Sequence, residues 1–394
     1  MALTQRGFVL SDGVLQHCAE RAGGYDRENR FFLEDFEELR EERYLLAAVP
    51  KELGGLGLNL AEICHEQRRL ARRSAPTALG VNMHLLATGI AANLWRDGDK
   101  SQAWMLEEAV RGAVFAYGHA ESGNDLEVMY SATRAERVDG GYRFFGHRNF
   151  GTLTPVWNWL NIYGLDSSDP GGPKMVHAVM ARDTPGYRIV ETWDTLGMRA
   201  TASQDTILEG VFVPDRHVIR TRGPGFAGAD EFILTMFAWF EPTIANIYIG
   251  LAERARDLAI ERIKTKRSVA EMTRSMAHHP GIQHTIADIV IELDGMTAHA
   301  DRIAEDWTSG VDHGAMWPAK LVAAKYHCVE GAFRAVDLAM DVSGGRGMFK
   351  GDELERLYRD VRCGRFHPAN AMTVHEVVGK SALGVLADPG PRWG

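Results

Sequence analysis

The chain has 394 residues, enough for two or three domains and a large core. Its 45% hydrophobic and 25% charged content is that of an ordinary soluble protein, and a net charge of −9 gives no electrostatic reason to expect nucleic acid or an anionic membrane as partner. Cys18, Cys64, Cys328 and Cys363 stand far apart with no CxxC or Cys/His zinc spacing, which points to reduced thiols and away from a metal site. Met1 to Phe8 lacks a basic region followed by an apolar run, and no stretch reads as the roughly 18 apolar residues that span a bilayer. A cytoplasmic protein is the expectation.

The first part reads helical. Arg30 to Tyr44 places Phe31, Phe32, Phe36 and Leu39 at helix-compatible spacing, and Pro50 with Gly54-Gly55-Leu56-Gly57 breaks it. Leu60 to Arg73 is a second amphipathic helix. Pro76 to Trp95, apolar and alanine-rich, reads as a buried one. Ser101 is the expected N-cap of a shorter helix to Val110. From Val114 to about Val218 the apolar residues come in short β-prone runs, such as Tyr142–Phe145, Met175–Met180 and Ile207–Val213, separated by glycine, proline and aspartate. The helical signal returns after Gly225. Phe232 to Lys266 reads as one long helix or two meeting at Pro242, followed by Ile282 to Thr308, Ala319 to Asp341 and Met372 to Leu386. The expected fold class is α+β, with a helical domain over 1–114, a central β domain over 115–225 and a helical bundle over 226–394.

Motifs appear in a fixed order along this frame. They are Pro50-Lys-Glu-Leu-Gly-Gly-Leu-Gly57, Ala120-Glu-Ser-Gly-Asn-Asp125, Thr195-Leu-Gly-Met-Arg-Ala-Thr-Ala202 and Val211-Phe-Val-Pro214. Near the C-terminus come Ser343-Gly-Gly-Arg-Gly347, Glu355-Arg-Leu-Tyr-Arg-Asp360 and Phe366-His-Pro-Ala-Asn370. Together they resemble the acyl-CoA dehydrogenase superfamily over nearly the whole chain. The resemblance implies an N-terminal helical domain, a β-barrel-like middle, a C-terminal four-helix bundle and a flavin. In many members a glutamate after the ERLxRD helix takes the substrate's α-proton. Laid residue by residue from Asp360, that glutamate falls on Pro368, which has no ionisable group.

A flavin needs an aromatic wall, donors and hydroxyls for its polar edge, and amides or basic groups for phosphate. The Tyr117 to Asp125 loop, with His119, Ala120 and Asn124, offers closely spaced backbone donors. By the resemblance, Phe150 stacks near the ring and the Thr152 hydroxyl bonds near N5. The plain alternatives are a β-domain core residue and an ordinary strand threonine. Gly344 and Gly345 suit close approach to a dinucleotide, and equally a helix C-cap. In the family that turn comes from a neighbouring subunit, which implies a homotetramer or dimer. Gln283 and Asn370 complete the expected cofactor set.

Removing an α-proton needs a carboxylate in a dry pocket. Some members place it at the start of the first long C-terminal helix. Here Glu241 is the acid in an aromatic stretch, one residue past that position, or about 100° of helical rotation. It reads as the base or as a helix N-cap. His367 is the second catalytic candidate. A short apolar pocket lined by Trp239, Phe240 and Tyr248 would take the substrate.

Two activities fit. The first is an FAD-dependent dehydrogenase of acyl-CoA or acyl-carrier thioesters, passing electrons to an electron-transferring flavoprotein. The second takes Pro368 at face value: a monooxygenase or N-oxygenase using reduced flavin (FMN as the alternative to FAD) and oxygen. A flavin-fold subunit needing a partner chain is the third possibility.

Overall fold

The computed structural model describes residues 7–225, 230–386 and 388. Residues 1–6 of the N-terminal stretch and residues 226–229, beside the expected 225/226 boundary, lie outside them. Five helices come first: α1 (Asp12–Glu28), α2 (Leu33–Glu41), α3 (Leu60–Ala71), α4 (Ala75–Arg96) and α5 (Ala103–Val110). Asn59 and Glu62 start α3 with a reciprocal capping box. α4 is apolar on every side and almost wholly buried, as a helix without a polar face must be.

Eight strands follow: β1 (Phe115–Tyr117), β2 (Arg134–Val138), β3 (Gly141–Gly151), β4 (Trp159–Asp166), β5 (Lys174–Ala181), β6 (Tyr187–Val190), β7 (Gln204–Pro214) and β8 (Val218–Arg222). They form one sheet in the order β6-β7-β3-β2-β4-β5-β8, with β1 added parallel to β4. Five helices close the chain: α6 (Glu231–Thr265), α7 (Pro280–Thr308), α8 (Trp317–Ser343), α9 (Glu353–Arg362) and α10 (Ala371–Leu383). α6 is the hub, packed against α3, α4, α7, α8 and α9.

The structure corrects three expectations and decides between two readings of a fourth stretch. α1 was not anticipated, although Leu15, Cys18, Ala22 and Tyr25 form its buried stripe behind an Ser11 N-cap; Gly23-Gly24 hides that stripe in the sequence. Ser101 does not cap α5, which begins at Ala103 without a side-chain cap bond; the Ser101 amide instead donates to Asp99 Oδ1 at 2.8 Å. Of the two readings of the next stretch the single helix holds: α6 runs unbroken for 35 residues through Pro242, whose missing N–H removes the helical donor to the Ala238 carbonyl. α6 also contains an 18-residue window of mean hydropathy 1.3, apolar enough to cross a membrane, yet 83% of that window is buried inside the protein. Its apolar surface is satisfied by neighbouring helices.

Where α4 and α6 cross, a Cβ at Gly89 would lie 2.2 Å from the Trp239 ring. Only glycine permits that approach. This crossing brings one face of each helix to the same cavity.

Candidate active site

A cavity of about 490 Å³ opens where the sheet meets α4, α6 and the segment before α10. Its size is that of a small-molecule site.

The sheet side is polar and aromatic. The β3–β7 register breaks between Arg148 and Gly151, and Phe150 sits there at φ +58°. Such bulges re-aim side chains beside functional sites. Phe150 is 56% exposed and meets Trp193 edge-on at 5.9 Å, so it is not a core residue. Thr152 Oγ1 lies 2.8 Å from Ser203 Oγ, which lies 2.7 Å from Thr201 Oγ1. Thr201 donates to the Met198 carbonyl. With that last proton committed, the chain runs Thr152 to Ser203 to Thr201, and the Thr152 oxygen faces the cavity as an acceptor.

His119 stands between the Tyr117 and Tyr163 rings, and Tyr163 donates to its carbonyl at 2.7 Å. Burial holds its imidazole well below the usual range. Beneath it Arg148 is buried and pairs with Glu121 at 3.0 Å. Burial pushes the Glu121 carboxyl up, but Arg148 and the donors of Ser131, Ala132 and Thr133 outweigh it and hold it below its ordinary value.

The helical side is apolar: Leu79, Met83 and Leu86 from α4, and Met236, Phe237 and Phe240 from α6. Cys363, Phe366, His367, Pro368 and Asn370 close it. His367 Nε2 is 2.8 Å from the Tyr248 hydroxyl, and burial lowers its pKa to about 3. Glu127, at φ +54°, lines the junction. Its Oε1 accepts from the Asn370 amide at 3.3 Å and the Thr373 hydroxyl at 3.2 Å, in the first turn of α10, where a helix favours negative charge.

Of the expected site residues, Tyr117, His119, Ala120, Asn124, Phe150, Thr152, His367 and Asn370 line this one cavity. Glu241 does not, and the expectation that it reaches a ligand or caps a helix is corrected. It lies well inside α6, fully buried, one residue and about 100° round from Phe240, which takes the cavity-facing position. Its Oε1 accepts the Ala369 amide at 3.2 Å. Lys325, buried alongside on α8, donates to the carbonyls of His367 at 2.8 Å and Ala369 at 2.9 Å. Burial raises the Glu241 carboxyl and lowers the Lys325 amine.

Of the expected substrate wall, Phe240 alone faces the cavity; Trp239 packs on Gly89 and Tyr248 lies behind His367. Gln283 is exposed and donates to the Ala277 carbonyl. Gly344 caps α8 at φ +72°, and neither it nor Gly345 lines the cavity within one chain. Arg359 pairs with Asp26 and Glu355, and Arg365 with Glu330. Sequence reasoning missed Glu127, Trp193, Ser203 and Lys325. Ser203 directly follows a quoted motif. The Glu127 carboxylate meets α10 through contacts 243 and 246 residues away.

Two family profiles match the chain: "Acyl-CoA dehydrogenase, N-terminal domain" over residues 11–108 and "Acyl-CoA dehydrogenase, C-terminal domain" over residues 231–367. The chain belongs to the acyl-CoA dehydrogenase superfamily. Its fold is that of flavin-binding oxidoreductases, as the motif order implied. The acyl-CoA dehydrogenase-like protein YdbM of Bacillus subtilis (strain 168) is 29% identical over 365 residues, covering 91% of each chain. The amino sugar nitrososynthase DnmZ of Streptomyces peucetius is 29% identical over 381 residues, covering 91% of this chain and 88% of that one. The structure of KijD3 in complex with FMN and a dTDP-linked 3-amino sugar matches with TM-score 0.84 and 25% identity, covering 96% of this chain and 93% of that one.

Proposed function

We propose that the protein is a reduced-flavin-dependent monooxygenase that oxidises a nitrogen or sulfur centre. One observation carries this reading. The two positions from which superfamily members present a carboxylate to an α-carbon hold Pro368 and Phe240, and the neighbouring acid, Glu241, is turned behind the wall. A substrate in this cavity meets no carboxylate at either place. Bound reduced flavin would supply two electrons to oxygen. The similarity to DnmZ and KijD3 supports the same class.

The sheet side fits a flavin ring. Phe150 and Trp193 give it an aromatic edge, Tyr117 a wall, and the Thr152 oxygen an acceptor for a ring N–H. Neutral His119 and His367 add no charge that would attract water. The helical side excludes solvent, which protects a reactive oxygen species from discharge. We take the flavin as FMN, the form in the KijD3 complex, in place of the FAD first expected. The dinucleotide that Gly344 and Gly345 were matched to is then absent, and neither these glycines nor Gln283 has a part in this reading; a homo-oligomer stays within it. The cytoplasmic location belongs to it too.

The dehydrogenase reading retains one foothold. Glu127 is a carboxylate that lines the cavity, and YdbM is as similar as DnmZ. One experiment separates the two. The flavin-loaded protein is mixed anaerobically with a panel of acyl-CoAs, then supplied with reduced flavin and oxygen. The expected result is an unbleached oxidised flavin band in the first step and oxygenated product by mass spectrometry in the second. Bleaching by an acyl-CoA would overturn the proposal in favour of α,β-dehydrogenation.

A further inference from the structure

The helical side of the cavity carries a chemical instruction about the substrate. Among the described lining residues there is no lysine and no arginine. Its two histidines are held neutral by burial. Glu121 is matched by Arg148, and the Glu127 carboxylate is engaged by the first turn of α10. The nearest remaining charges, Glu241 and Lys325, bond the backbone of residues 367–369 from behind. An anionic group drawn into this space would lose its hydration with no cation to replace it. One polar atom is differently placed. Tyr248 occupies His367 Nε2, while Nδ1 has no hydrogen-bond partner among the described residues and the ring borders the cavity.

We propose that the substrate is an uncharged, mostly apolar aromatic or alicyclic compound whose single oxidisable nitrogen or sulfur lies against His367 Nδ1, with its hydrocarbon body between α4 and α6. For the oxidation step this rests on the monooxygenase reading; the binding surface does not depend on it. One atom of O₂ adds to the nitrogen or sulfur lone pair. The other leaves as water after taking up two protons, and reduced flavin supplies the two electrons. His367 is thereby a specificity residue: it aligns the heteroatom, and Leu79, Met83, Met236 and Phe240 select against polar bodies. A phosphate, that of FMN included, has no counter-charge among these lining residues and must lie outside them.

The test is a calorimetric titration of the purified full-length protein without reductant. Indole and benzothiophene serve as neutral probes, and dTDP and butyryl-CoA as anionic ones. The neutral probes are expected to bind at least about tenfold tighter. This comparison needs no variant, and anionic probes binding as tightly or more tightly would overturn the proposal. Phe240→Glu should weaken indole about tenfold or more, while Phe349→Glu, at a residue 69% exposed, leaves binding unchanged. His367→Phe keeps an aromatic ring and should abolish the preference for indole over naphthalene; an unchanged preference would remove His367 from the proposal. Benzothiophene, whose sulfur keeps a lone pair, binding yet yielding no sulfoxide when reduced flavin and oxygen are supplied would sink the monooxygenase reading and leave the substrate class standing. Oxygenated product from an anionic substrate would do the reverse.

Discussion

The two sides of the cavity solve opposite problems. The sheet side shows polar atoms to the ligand: a hydroxyl chain through Thr152, Ser203 and Thr201, and rings exposed by a bulge at Phe150. The helical side hides its polar atoms. Glu241 and Lys325 are both buried, yet both bond the backbone of the segment that closes the cavity. The difference shows that a charge near a site need not act on the ligand. One residue of helix rotation separates Phe240, which faces it, from Glu241, which braces the wall.

Acid should disturb this arrangement most, because both sides rely on neutral histidines. His84 is held near pKa 4, His177 and His367 near 3, and His119 well below its ordinary value, all by burial. Between pH 6.5 and these values the unfolded chain binds protons that the folded chain does not, so stability falls as pH drops. The loss is on the order of 2 kcal/mol at pH 5 for each of His84, His177 and His367. Asp360, raised by burial to about 6, works in the opposite sense over part of that range, since its folded form binds the extra proton. Glu241, raised by burial to about 8, and Asp35, Glu66 and Glu253, also raised by burial, act in the same sense as Asp360, while burial lowers His65, His217 and His299 as well, so that seven histidines stand against five carboxyls. Thermal melts from pH 7.5 to 5 should show a falling midpoint, and a flat or rising one would refute the assignment.

The helical brace is tested next. Lys325→Met leaves Glu241 buried without its cation and two carbonyls without a donor. A loss of about 3–5 kcal/mol is expected by urea unfolding, and adding Glu241→Gln should recover part of it. Full stability of Lys325→Met would mean the brace contributes nothing.

On the sheet side, Thr152→Val removes the cavity-facing acceptor and breaks the hydroxyl chain. Flavin affinity by fluorescence titration should drop by about tenfold, near 1.4 kcal/mol, with probe binding between α4 and α6 preserved. Equal loss at both would erase the division between the two sides. Phe150→Ala sharpens the same point at lower cost. Since Phe150 is exposed, stability should stay within about 0.5 kcal/mol while flavin binding weakens a few-fold.

The smallest effect is expected for the first-named base. A lost general base lowers turnover by roughly 10²–10⁴-fold. Glu241→Gln should keep turnover within about tenfold, because its carboxyl meets Ala369 and not the cavity. A fall of several hundredfold with the flavin retained would restore it as catalytic.

Much of the fold is legible in the sequence. Hydrophobic period marked α3, α4, α7 and α8, and short β-prone runs marked β3, β5 and β7, because each element buries its own repeating stripe. The spaced motifs gave the superfamily, and the loop around His119 and the Phe150-Gly-Thr152 step pointed at residues that do share one cavity. α1 stayed hidden because its stripe of four buried residues crosses a glycine pair.

Sequence alone thus determined the order of helices and sheet, the superfamily, and the absence of a carboxylate at Pro368. Tertiary structure decided which way Glu241 points, that Glu127 meets Asn370 from 243 residues away, and that Lys325 holds the wall from behind. The physical reason is range. Periodicity and capping are properties of neighbours along the chain. A side chain's direction relative to a cavity depends on the register of a whole helix, here set by contacts such as Gly89 on Trp239, which no local pattern records.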